Sequence, residues 1–502
     1  MSIRTSILVA FLLFAKNVAA QEDTVAGKYA QLIDQADLRR HLEVLASDSF
    51  MGRDTGKEGQ KLAAAYLKEC FIGLGVPPLN RTGVELGYFQ PYELIESRKG
   101  TISVRTAKER LTWPEDVLYF AEELEGNAEV NSLMPLRDER AVDAGDYSRT
   151  AAVIDARSLD TGTSSFRPVQ QLLEGAKAEG FKVAFVVVKE ELKERLTGFV
   201  HVGGTSMRLP VAEEQAQPAA KGIQPLYITE KTLVQMVGRA GAKGLLKPKK
   251  AKVTKTGITV VRETQDTRIQ AENVLAFIEG TDKRDEIIVI TAHYDHIGVE
   301  DGVVYNGADD DGSGTVALIE IAEAFMRASE QGYGPRRSIL IMPVSGEEKG
   351  LLGSRYYSDN PVFPLEQTVA NLNIDMIGRV DSAHLTAAPY VYIIGSDRLS
   401  SDLHAVNVEA NARHAGIVLD YTFNAEDDPN RFYYRSDHYN FARKGVPSIF
   451  YFSGVHEDYH QPGDDVEKIR FDLLESRAKL VFHTAWILAN RGDRIQVDKP
   501  VR

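Results

Sequence analysis

Cysteine is nearly absent from this chain: Cys70 is the only one in 502 residues. That excludes an intramolecular disulfide, a thiolate zinc site and a thiol-pair redox centre. Cys70 lies in AAAYLKECFIGLG, where apolar residues recur at helical spacing, so it reads as a core thiol. A positive excess is lacking too. The formal net charge of -13 argues against nucleic acid or an anionic membrane surface as the main partner. Beyond the N-terminus no apolar run is long enough for a transmembrane segment. Internal repeats and low-complexity tracts are missing as well. What is present is an ordinary globular composition, 43% hydrophobic and 26% charged, long enough for two or three domains.

The N-terminus, MSIRTSILVAFLLFAKNVAA before Gln21, has an early Arg4, an apolar run from Ile7 to Ala15, and small residues Val18 and Ala20. That is the layout of a cleaved signal peptide over 1–20, with an apolar run too short to span a bilayer. The mature protein is therefore expected to be exported, to the periplasm or the extracellular medium. No cysteine near the cleavage point offers a lipid anchor.

Residues 21–110 read as the first part of a main domain, with helical DLRRHLEVLASD and QKLAAAYLKECFIGLG followed by strand-like YFQPYELI and TISVRT. The texture changes over 111–253, where AAVIDA, KVAFVVV and PLYITEKTLVQMVGRAG alternate strand and helix without clustered ligand-type residues. This block reads as a smaller inserted α/β domain. From 254 to 495 the main domain resumes. EIIVIT, SILIMPV, VANLNID and VPSIFYF are short, almost continuous apolar runs, as expected of strands covered on both faces. Between the first two, SGTVALIEIAEAFMRASEQG has an apolar helical face with Ser313 near its start. The fold class is α/β, with a mixed, mostly parallel central sheet flanked by helices.

Each of those strands is followed by residues that bind metals. AHYDHIG brings His293, Asp295 and His296; SGEEKGLLGS brings Glu347 and Glu348; NID ends in Asp375; SGVHEDYHQPGDD brings His456, Tyr459 and His460. In an open parallel sheet, ligands sit beyond the carboxyl ends of the strands, so these groups are directed to one rim. The loop YNGADDDGSG, with Asp309, Asp310 and Asp311, belongs to the same rim. Asp and Gly alone make an ordinary turn, but three crowded carboxylates beside imidazoles call for a cation. Mixed nitrogen and oxygen donors suit Zn²⁺, with Co²⁺ or Mn²⁺ served by the same ligand types. The spacing is not that of an EF-hand calcium loop.

AHYDHIG, NGADDDGSG, SGEEKGLLGS, NIDMIGR and the final YH occur together and in order, and they resemble the M28 family of zinc metallopeptidases, the aminopeptidase S/aminopeptidase Y group. The likeness covers 35–110 and 254–490, and the block at 111–253 resembles the protease-associated (PA) domain that many members carry as an insertion. The resemblance implies the zinc aminopeptidase fold and two Zn²⁺ ions. It implies Asp310 as the bridging ligand, His293 and Asp375 completing one ion, and Glu348 and His460 completing the other. It further implies Glu347 as the general base toward the attacking water and Asp295 as the acceptor that orients the His293 ring. Tyr459 is implied as a donor to the developing oxyanion. His296 and His456 are expected to be non-ligands, and His438 of SDH a supporting residue. The stretch AEDDPNRFYYRSD, with Asp427, Asp428, Tyr434 and Arg435, is either a specificity loop or an ordinary surface loop.

The expected function is thus that of an exported dinuclear-zinc aminopeptidase acting on peptides with free N-termini. A glutamate-carboxypeptidase-type enzyme is an alternative on the same fold, but basic groups for a terminal carboxylate are limited to Arg431 and Arg435. A glutaminyl cyclase uses one zinc, whereas all five dinuclear positions are filled. A transferrin-receptor-like binding protein would have lost ligands, and none is lost.

Overall fold

The computed structural model describes residues 24–81, 84–120, 124, 126–137, 145–158, 166–197, 205–210, 222–247, 253–386 and 388–501. The expected signal peptide at 1–20 lies outside the described residues. The chain divides into two compact units. One takes the described residues through Leu94 and those from Ile269 onward; the other is Ile95–Arg268. The second unit is wider than 111–253 because two long strands, Phe89–Arg105 and Thr254–Val274, cross its limits. Val104 pairs with Leu111 and Thr254 with Leu133, so segments read as parts of the main domain join the smaller unit's sheet.

Within that unit Ala128–Leu136, Thr150–Asp155, Val183–Val188 and Gln224–Thr229 pair in this order, all parallel. The strand VAFVVV is buried throughout. Val183, Phe185 and Val187 enter one apolar cluster and Ala184, Val186 and Val188 another, as side-chain alternation requires of a strand covered on both faces. Helix Glu230–Leu246 covers the first face and helix Arg167–Ala178 the second.

The larger unit is built on a seven-stranded sheet: β1 (Ala276–Ile278), β2 (Lys283–His293), β3 (Arg337–Val344), β4 (Thr368–Ile374), β5 (Tyr390–Ile394), β6 (Val418–Asp420) and β7 (Ser448–Phe452). Their spatial order is β1-β3-β2-β4-β7-β5-β6. The four central strands are parallel, and these are the four apolar runs of the sequence. β1 and β5 run antiparallel to their neighbours β3 and β7, which makes the sheet mixed. On β2, Ile288 and Ile290 face one cluster and Ile287 and Val289 the other. The first cluster is closed by α1 (Gln35–Leu45), α2 (Glu58–Gly73), α3 (Gly314–Glu330) and α4 (Phe471–Asn490). Fully burying each Ile, Leu or Phe side chain in it contributes about 1.5–3 kcal/mol.

Asp34 caps α1, accepting from the Ala36 and Asp37 N–H groups. Ser313 does not cap α3. Its hydroxyl donates to the Asp309 carbonyl and accepts from the Ile377 N–H, both within the loops of the candidate site.

Candidate metal centre

Parallel pairing fixes the level at which each strand ends. His293 closes β2 opposite Val344 at the end of β3, Thr291 lies opposite Asn373 on β4, and Ile374 lies opposite Tyr451 on β7. One rim therefore receives His293, the Glu347–Glu348 pair, Asp375 and the loop carrying His460.

His293 Nε2 lies 3.2 Å from Asp310 Oδ1, 3.6 Å from Asp375 Oδ1 and 4.0 Å from Glu347 Oε2. His460 Nε2 lies 3.2 Å from Asp310 Oδ2 and 3.2 Å from Glu348 Oε2. The two oxygens of Asp310 thus face different imidazoles. All five expected ligands come together, and His296, expected to be a non-ligand, lies among them. His296 Nδ1 is 2.8 Å from Glu348 Oε1 and 3.9 Å from Asp310 Oδ2. Two donor groups result: His293, Asp310 and Asp375, and His296, Asp310 and Glu348, the second adjoined by His460.

The residues fit a pair of divalent cations. Asp310 Oδ2, Glu348 Oε1 and both ring nitrogens of His296 are buried without a hydrogen-bond partner. Donors on one tetrahedral zinc, at about 2.0–2.2 Å from the ion, stand roughly 3.3–3.6 Å apart, close to the separations of His293 from Asp310 and Asp375 and of His460 from Asp310 and Glu348. Burial pushes the Glu347 carboxyl well up, opposed by His293 and reinforced by Asp375 and Glu348. Burial and Asp310 push Glu348 up as well, but His296 and His460 outweigh them and hold it at about 2. Burial opposes charge on His460, yet Asp310 and Glu348 raise it to about 10.

The flanking aspartates brace the loop. Asp311 Oδ1 accepts from Gly314 N–H at 2.9 Å and Met376 N–H at 3.0 Å, and its Oδ2 from His293 N–H at 3.2 Å. A Cβ on Gly314 would stand 2.5 Å from that carboxylate, so the position needs glycine. Asp309 Oδ1 accepts from Gly378 N–H at 2.6 Å, and its Oδ2 lies 3.3 Å from His456 Nε2, which keeps His456 away from the centre. Asp464 Oδ2 accepts from both Asp309 N–H and Asp310 N–H. Met376 and His460 hold positive φ values of 55° and 56°, a strain of roughly 1–3 kcal/mol each that persists where surrounding contacts over-determine the backbone.

The role expected of Asp295 passes to its backbone. His293 Nδ1 is 3.0 Å from the Asp295 carbonyl oxygen but 3.9 Å from its carboxylate. That carboxylate instead accepts from the Thr55 hydroxyl at 2.6 Å and the Glu347 N–H at 3.3 Å, which ties the loop of the expected base to the β2 terminus. Asp375 is set by a relay: Ser436 Oγ donates to its Oδ2 at 2.6 Å, Asn373 donates to Ser436 at 2.8 Å, and Thr291 donates to Asn373 at 2.6 Å. Buried Arg53 donates to the carbonyls of Leu45, Tyr294, Asn306 and Gly307. Sequence reading missed Arg53, Thr55, Ser436 and Asp464. For Ser436 and Asp464 the signal lay in plain view, as the first residue of SDH and just after YHQPG.

The cleft beside the centre is walled by Met376, Phe432, Phe450, Phe452 and Val455, with Arg435 and Tyr459 at its polar side. Arg435 Nη2 donates to Tyr459 Oη at 3.3 Å, and the Tyr459 ring stacks on His460 at 3.9 Å. Of the candidate specificity residues, Arg435 reaches this cleft. Asp428 accepts from Asn430 and Phe432 N–H groups and shapes the turn, while Tyr434 lines a separate cavity with Asp397 and Arg398. His438 is buried, stacked on Phe450, and burial lowers it to about 3.

Residues 273–485 match the profile of peptidase family M28. A "Probable zinc metalloprotease" of Pyrenophora tritici-repentis is 28% identical over 44% of this chain and 52% of its own length. A "Probable leucine aminopeptidase" of Arthroderma otae is 30% identical over 43% of the chain and 57% of its own. A "Probable glutamate carboxypeptidase LAMP1" of Arabidopsis thaliana is 32% identical over 26% of the chain and 18% of its own. The chain spans about half the length of the two fungal relatives and less of the plant one. Among solved structures, an aminopeptidase from Aneurinibacillus sp. strain AM-1 superposes with a TM-score of 0.54 at 18% identity, over 95% of this chain and all of the other. That likeness bears on the fold.

Proposed function

From the match of residues 273–485 to the profile of peptidase family M28, we propose that the protein is an exported dinuclear-zinc aminopeptidase that releases N-terminal residues from peptides. The observation that carries the reading is Asp310, whose two oxygens each stand 3.2 Å from a different imidazole, as a bridging carboxylate requires. His293 and Asp375 would hold one ion with Asp310, and Glu348 and His460 the other. Bound zinc supplies Lewis acidity, lowering the pKa of water and polarising the scissile carbonyl. Glu347, beside the His293 group and with its carboxyl pushed up by burial, takes the proton from the attacking water and returns it to the leaving amine. Tyr459, with Arg435 behind its hydroxyl, donates to the developing oxyanion. The apolar cleft wall takes the side chain of the terminal residue. The unit Ile95–Arg268 corresponds in this reading to a PA-like insertion.

Arg435 in the cleft and the plant relative's name favour a second reading, a carboxypeptidase whose substrate carboxylate meets that guanidinium. The test is mass spectrometry of free and N-acetylated peptides incubated with zinc-loaded protein, with Glu347→Gln as control. Stepwise loss from free N-termini alone, slowed about 10²–10⁴-fold in the variant, is expected. C-terminal trimming would establish the second reading, and equal cleavage of acetylated peptides would remove the aminopeptidase one.

A further inference from the structure

We infer that His296 is an additional ligand of the second ion, giving that site four protein donors against three at the first. The inference rests on the two-ion reading above and departs from its five-ligand set. His296 has no solvent exposure, and its Nδ1 stands 2.8 Å from Glu348 Oε1. Neither atom makes a hydrogen bond despite that separation. His296, Asp310 and Glu348 each bring one donor atom within 4.8 Å of the other two, close enough to share one cation. His460 Nε2 reaches the same Asp310 oxygen and the other Glu348 oxygen, both at 3.2 Å. His296, His460, Asp310 and Glu348 supply four nitrogen and oxygen donor groups, the number that a closed four-coordinate zinc site takes.

The backbone around His296 is built to hold the ring there. Its N–H donates to the Arg53 carbonyl, and it forms a bridge with Asp54. Gly307, at φ 53°, lies against the ring: a Cβ there would stand 2.5 Å from His296 Cγ and Cδ2. The first site differs in kind. It has three donors, His293, Asp310 and Asp375, with Glu347 Oε2 4.0 Å from His293 Nε2, and so would leave a fourth position for water or substrate. Closed sites retain their ion, and catalytic sites keep a place for water or substrate. The second ion is therefore the resident one and the first the exchangeable one.

The test uses the full chain, stripped of metal, labelled with ¹⁵N-histidine and titrated with zinc. The first equivalent should move two histidine rings to metal-bound shifts and the second equivalent one more, three of the eleven in the chain. In His296→Gln the first step should move one ring, and chelator competition should show the tighter zinc dissociation constant raised at least about 100-fold. Two rings in total, one per equivalent, or an unchanged tight constant in the variant, would overturn the proposal while leaving the two-ion reading intact. Failure to bind zinc at all would overturn both. The ring count in the natural sequence does not depend on the variant folding.

Discussion

Glu320 presents the sharpest test of how the larger unit balances its charges. It sits inside α3 with no exposure, and neither carboxylate oxygen has a hydrogen-bond partner. His41 on α1 stands 3.5 Å away, its other ring nitrogen 2.7 Å from the Tyr66 hydroxyl. Burial, with Asp37 and Glu323 nearby, raises Glu320 from 4.5 to about 8, and burial lowers His41 from 6.5 to about 4. A carboxyl raised in the fold is neutral in both states below pH 4.5. From there to pH 8 the unfolded chain ionises and the folded one does not, so stability falls as pH rises. At 1.36 kcal/mol per pH unit the full cost is about 5 kcal/mol. A histidine lowered in the fold acts oppositely, adding about 3 kcal/mol as pH rises from 4 to 6.5. The natural protein should therefore show little net slope from these two groups between pH 4.5 and 6.5, then lose about 2 kcal/mol by pH 8. Glu320→Gln removes the carboxyl's share and keeps the histidine's. Its stability relative to the parent should grow by about 4 kcal/mol between pH 5 and 9. Urea unfolding of metal-free protein, followed by Trp486 fluorescence in a Trp113→Phe background, measures this for the larger unit. A gap that changes by less than about 1 kcal/mol over that range would refute the assignment of a neutral buried carboxyl.

Two further outcomes follow from the braces around the centre. Ser436→Ala removes the 2.6 Å bond to Asp375 and should weaken zinc at the first site roughly 10–100-fold, read by chelator competition; unchanged affinity would mean Asp375 is oriented without the relay. Arg53→Met strips a charged donor from four carbonyls and should cost roughly 3–5 kcal/mol, seen as a lower urea midpoint at constant slope. Arg53→Lys should recover only part of the loss, since an ammonium lacks the guanidinium fork; full recovery would place the effect in charge alone.

The central strands and the rim were legible because both rest on local information. An apolar run of five to eight residues marks a doubly covered strand, and topology then sends whatever follows it to one edge. The limits of the smaller unit were not legible, because Phe89–Arg105 and Thr254–Val274 each carry one strand through both units without a break in composition. Nor was Arg53. Its four acceptors lie on segments up to 254 positions away, and a lone arginine in the turn SFMGRDTG has no spacing that announces them.

The histidines of AHYDHIG show where residue type stops being informative. His293 ends one strand and His296 stands three residues on, next to the same aspartates; residue type alone does not rank them, and the family pattern ranked only His293 as a ligand. For Asp295, between them, chemistry favoured the carboxylate as the partner of His293, yet the carbonyl takes that place because the carboxylate is held by Thr55 and the Glu347 N–H. For His296 the deciding facts are likewise three-dimensional: complete burial, two unpartnered ring nitrogens, and a glycine kept where any side chain would strike the ring. A structural imidazole at that depth would be expected to satisfy at least one nitrogen with a hydrogen bond. His296 instead faces Glu348 Oε1 at 2.8 Å and joins Asp310 and Glu348 in one donor group, the arrangement on which its proposed role as a ligand rests.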